Sequence, residues 1–111
     1  MPLFKTDMEQ KEILQRMSET ARRVLPEGAT AWLFGSQARG TANSDSDWDI
    51  LILLDKEKVM PEDHDAVGFP FREAGWDFDA LVNPIIYTEK DWERNWFSPF
   101  YKNVTQERIR L

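Results

Sequence analysis

Apolar positions along this chain change their spacing twice before residue 55, and each change marks an element. Met8, Ile13, Leu14, Met17, Ala21, Val24 and Leu25 recur at roughly helical intervals. With Thr6 and Glu9 at capping-box positions, they predict a helix from Thr6 to about Leu25. Pro26-Glu27-Gly28 then breaks it. Residues 29–34 read as a first strand and residues 47–54 as a second, which is too apolar after Ile50 to be exposed on both faces. Between them, Gly35 to Arg39 form a turn and the start of a short helix, and Gly40 to Ser46 a loop.

Beyond Leu54 the pattern loses its period. Pro61, Gly68 and Pro70 interrupt the stretch from Lys56 to Gly75, where only Glu62 to Val67 suits a helical turn. Trp76 to Ile86 reads as a third strand, in which Pro84 calls for an edge position or a bulge. A helix starts over Thr88-Glu89-Lys90-Asp91-Trp92, and after Ser98-Pro99 a final short helix covers Phe100 to Ile109. The expected fold is α/β, or α+β in the loose sense: a small mixed, twisted sheet with helices packed on it.

Composition narrows the class. A chain of 111 residues, 41% hydrophobic with five tryptophans, is expected to fold as a single domain, 1–111. It has no cysteine, so disulfides and thiolate metal sites are excluded. No apolar run approaches the roughly 20 residues of a membrane span, and the start Met1-Pro2-Leu3-Phe4-Lys5 is not a signal peptide, so a cytoplasmic location is expected. The formal charge is −6, from 20 acidic and 14 basic residues. Basic residues cluster no further than Arg22-Arg23 and the alternating Arg108 and Arg110, which argues against a long polynucleotide substrate. A small metal-bound triphosphate fits better, because the cation brings its own charge.

The candidate chemistry lies where the second strand begins. Asp47-Trp48-Asp49 follows the Gly35-Ser36 pair after a polar loop. On a strand, Asp47 and Asp49 project to one side. Two carboxylates there repel unless a cation sits between them, and hard oxygens suit Mg²⁺. Gly35 lets the chain turn tightly and a ligand approach closely. A helix starting just after it offers free N–H groups to phosphate, with the Ser36 hydroxyl adding a hydrogen bond.

The segment from about Ala31 to Leu54 resembles the signature of the nucleotidyltransferase superfamily related to DNA polymerase beta, and within it the minimal nucleotidyltransferase group. Gly35, Ser36, Ala38, Arg39, Gly40, Ser46, Asp47 and Asp49 all fall on that group's pattern. Trp48 departs from the small aliphatic residue usual between the two acids, and alternation turns it away from the site into core.

The resemblance implies a polymerase-beta-like fold and transfer of a nucleoside monophosphate, with ATP as the expected donor, to a hydroxyl. It also implies Asp47 and Asp49 as Mg²⁺ ligands and a third carboxylate that completes the metal-binding set and activates the acceptor. Asp77 and Asp79 compete for that role on the third strand, and the apolar–Asp–apolar run around Asp79 favours Asp79. Gly35, Ser36 and Arg39 are the expected nucleotide contacts, although Arg39 suits bracing of the loop through a carboxylate equally well. Minimal members of the group commonly work with a HEPN-type helical partner, in several cases as an antitoxin that adenylylates its toxin.

Other readings stay open. Without a third acid, the chain would be a non-catalytic nucleotide- or partner-binding antitoxin module; aminoglycoside nucleotidylylation lacks an acceptor-binding domain. Lone His64 reads as a surface residue. Trp92, Trp96, Phe97, Phe100 and Tyr101 suit core plus an association surface, for a partner or a further copy, more than a base-stacking shelf.

Overall fold

The computed structural model describes residues 7–43 and 45–111; Thr6, and with it the expected capping box, lies outside the described residues. Helix α1, Asp7–Val24, turns Ile13, Met17, Thr20 and Ala21 inward. The Thr20 hydroxyl donates to the Arg16 carbonyl at 2.8 Å, so this polar side chain is buried with its proton satisfied. Strands β1, Thr30–Phe34, and β2, Trp48–Leu54, pair antiparallel, with Phe34 opposite Asp49. Between them, α2, Ser36–Arg39, is a single turn closed by Gly40 in the left-handed region.

Strand β3, Val82–Thr88, lies parallel to β2, and the two-residue β4, Ile109–Arg110, pairs antiparallel with β1. The resulting mixed sheet has the order β3-β2-β1-β4. Parallel neighbours cannot be joined by a tight turn, so residues 55–81 must cross a face of the sheet. They do so as α3, Pro61–Asp63, a π-helical segment, His64–Gly68, and α4, Phe69–Trp76. The expected helical turn at Glu62 to Val67 is therefore part of a longer helical stretch that the interrupting prolines and glycine concealed.

Helices cover both faces. On one, α1, the π-helical segment and α4 pack Ile13, Met17, Val67, Phe71 and Ala74 against Leu33, Trp48, Ile50, Ile52 and Val82. On the other, α5, Glu89–Arg94, and α6, Pro99–Glu107, bring Trp92 and Val104 onto Phe34, Leu51 and Leu53. β2 is buried along its whole length except at Asp49, so the break in burial marks the polar end of the sheet.

The expected third strand needs correction. Trp76 ends α4, and residues 77–81 form the connection into β3 rather than part of the strand. The Gly75 carbonyl accepts N–H bonds from Phe78 and Ala80, and Asp79 turns with φ 54°. A Cβ on Gly75 would lie 2.6 Å from the Ala80 carbonyl oxygen and from Val82 Cγ2, so only glycine lets α4 close so tightly onto the strand that follows. Pro84 lies on β3, an edge strand, as its missing N–H requires.

Candidate active site

The site lies where β1 ends and β2 begins. Gly35 has φ 78° and ψ −161°, and a Cβ there would collide with the Asp49 carboxylate. The glycine thus serves both the turn and the close approach of an acid. Gly35 O accepts from the Ala38 and Arg39 amides, which fixes the turn of α2.

Asp47 and Asp49, both half-buried, are set by the loop before them. Asn43 N–H donates to Ser46 Oγ at 2.9 Å, the Ser46 amide returns to the Asn43 carbonyl, and Gln37 Nε2 reaches the Ser46 carbonyl at 3.3 Å. Ser46 therefore locks the turn that delivers Asp47. The Trp48 amide donates to the Leu81 carbonyl at 2.9 Å, and the Trp48 indole is buried on the opposite face, against α1 and α4.

The residue facing this pair from β3 is Asn83, in register with Asp49. Its amide nitrogen lies 3.0 Å from Asp47 Oδ2 and 3.3 Å from Asp49 Oδ1. Asp77 and Asp79 are instead exposed in the turn before β3, and Asp77 pairs with Arg16 of α1 at 2.6 Å. Their expected place on a strand beside Asp47 and Asp49 is lost because the turn at Gly75 takes up the residues that alternation had assigned to β3. Among the described residues, no group of three or more His, Cys, Asp or Glu is placed to hold a metal. Two carboxylates on one face remain a fitting donor set for Mg²⁺, which takes one or two carboxylates and fills its shell with water and phosphate oxygens.

A cleft of about 580 Å³ opens in front of the turn, lined by Gly35, Ser36, Arg39 and Asp49, and by Phe100, Asn103 and Glu107 of α6. The structure thus gathers Gly35, Ser36, Arg39 and Asp49 in one cavity. Glu107, which local sequence gave no reason to choose, accepts from the Gly35 amide and from Arg39 Nη1 at 3.1 Å. Asn83 did carry a signal: it is a lone amide in the apolar run Leu81 to Tyr87.

The other candidates divide. His64 is exposed on the π-helical segment. Trp92 is core, edge-on to Phe100 and tilted against Tyr87 and Tyr101, whereas Trp96 and Phe97 remain about two-thirds exposed at 64% and 63%. No helix among the described residues is long and apolar enough to cross a membrane.

A candidate protein adenylyltransferase of Methanocaldococcus jannaschii is 38% identical over 55 residues, which span 50% of this chain and 54% of that protein. A candidate nucleotidyltransferase from Sulfolobus solfataricus superposes with a TM-score of 0.63 over 98% of this chain and 90% of its own, at 21% identity. A toxin–antitoxin structure with AMP-PNP gives 0.59 over 86% of this chain and 69% of that one, at 17% identity. These two structures share the fold. The family profile described as nucleotidyltransferase domain matches residues 8–111, and the chain belongs to that family.

Proposed function

We propose that this chain, as a single domain, is a Mg²⁺-dependent nucleotidyltransferase that moves AMP from ATP to a hydroxyl of a HEPN-type helical partner, acting as an antitoxin. The observation that carries the reading is the packing of the Gly35 turn directly against Asp49 in one cleft with Ser36 and Arg39. Gly35, Ser36 and Arg39 hold triphosphate oxygens, and Asp47 and Asp49 hold the cation. Held by Asp47 and Asp49, a divalent cation would supply neutralisation of charge on the attacking and leaving oxygens. The acceptor oxygen bonds to the α-phosphorus as pyrophosphate leaves, and its proton passes to solvent. Asp79, exposed in its turn, has no part in this reading. The adenylyltransferase name of the archaeal relative and the toxin–antitoxin neighbour with AMP-PNP support the donor and the setting.

Calorimetric titration of Mg²⁺–ATP tests it, alongside Asp47→Asn and a metal-free run. We expect binding that needs both the metal and Asp47, with at least a tenfold loss in the variant; binding indifferent to both sinks the reading. The amide at Asn83 favours a second reading, nucleotide binding without transfer. Co-expression with the partner separates the two: Asp47→Asn and Asp49→Asn abolish neutralisation under the first and leave it intact under the second.

A further inference from the structure

Asn83 donates hydrogen bonds to both carboxylates of the site from the strand parallel to β2. It is half-buried, between the buried Val82 and the half-buried Pro84. Its primary amide carries two donor hydrogens on nitrogen and an acceptor oxygen on the same flat group. Facing two acids, only the nitrogen end is tolerated, and it offsets their repulsion. A carboxylate at this position has no such donor and would add to that repulsion.

We propose that Asn83 is a neutral third oxygen ligand of the cation site: its nitrogen bridges Asp47 and Asp49 while the pair holds no cation, and its carbonyl oxygen turns to the cation that binds them. This rests on the metal–triphosphate reading above. The site then carries two negative charges, not three. A free divalent cation is held weakly, and the cation arrives with a triphosphate whose oxygens complete its shell. A neutral amide also takes no proton from an acceptor, which leaves solvent to receive the hydroxyl proton, as in the reading above.

Manganese binding without nucleotide, followed by electron paramagnetic resonance, is the direct probe. Asn83→Asp adds one charge to the site and is expected to bind Mn²⁺ at least tenfold more tightly than the parent. Asn83→Ala, which removes donor and acceptor alike, is expected to bind Mn²⁺–ATP at least fivefold more weakly. Should Asn83→Asp fold only when Mn²⁺ is present, the melt with and without metal gives the same supporting answer. Parental affinities in both variants, with Asp47-dependent Mg²⁺–ATP binding in the parent, overturn this inference alone. Absence of any Mn²⁺ or Mg²⁺–ATP binding in parent and variants overturns the functional reading itself.

Discussion

A single methyl group at residue 35 is enough to test the geometry of this site. Alanine there meets the Asp49 carboxylate and must also hold a φ of 78°, which side chains rarely adopt. Such strain costs about 1–3 kcal/mol when the surroundings do not yield. Gly35→Ala is expected to lower the melting temperature by several degrees and to remove Mg²⁺–ATP binding, read by calorimetry. A variant that melts lower yet binds normally would separate the turn from the ligand. Asp49 is pinned between this glycine and Asn83, which explains why it alone interrupts the burial of β2.

At the scale of elements, the crossover between β2 and β3 is where packing overrides local pattern. Its first turn is held by Asp63, whose carboxylate accepts from the Met60 amide at 2.7 Å and from Lys56 Nζ at 2.9 Å. The Met60 hydrogen bond first, and then Lys56, hold the Asp63 pKa below its ordinary value. A carboxylate with a depressed pKa in the folded state stabilises above its unfolded pKa, near 3.9, and that stability is lost as pH falls through the folded value. Asp63→Asn is therefore expected to cost about 1 kcal/mol at pH 7. The gap should close toward pH 3, in melts of both proteins at pH 7, 5 and 3. A gap constant with pH would show that the loss is one of shape rather than charge.

Across the whole molecule, Glu107 ties the end of α6 to a turn 72 residues earlier in the chain. Its side chain, 15% exposed, occupies the Gly35 amide and Arg39, the donors that the functional reading gives to phosphate. Two anions compete for one set of donors, and the one with more charge on a metal complex has to displace the other. Glu107→Gln is expected to raise Mg²⁺–ATP affinity about three- to tenfold by calorimetry, with a modest drop in melting temperature. Weaker binding in this variant would instead make Glu107 the brace that shapes the phosphate turn. Trp96 and Phe97, exposed just ahead of α6, lie on the same side of the sheet as this contact, since α5 and α6 cover one face.

Helix α1 and strands β1 and β2 were legible because each buries a face whose period is written locally: about 3.6 residues for Ile13, Met17 and Ala21, and a near-continuous apolar run from Ile50 to Leu54. The same holds for the Gly35 turn and for the shared side of Asp47 and Asp49, which follow from backbone sterics and strand alternation alone. The helical stretch from Pro61 to Trp76 was not legible. Its need comes from joining two parallel strands, and its buried face is defined only by the sheet beneath it. β4 is two residues long and exists because β1 offers a free edge at Trp32 and Leu33. The sequence by itself determined which residues turn, alternate and seek burial. Only the tertiary structure decided that Asn83, not Asp77 or Asp79, faces the carboxylate pair, and that Glu107 reaches the Gly35 amide. Those choices depend on register between strands and on contacts between distant segments, which no local pattern encodes.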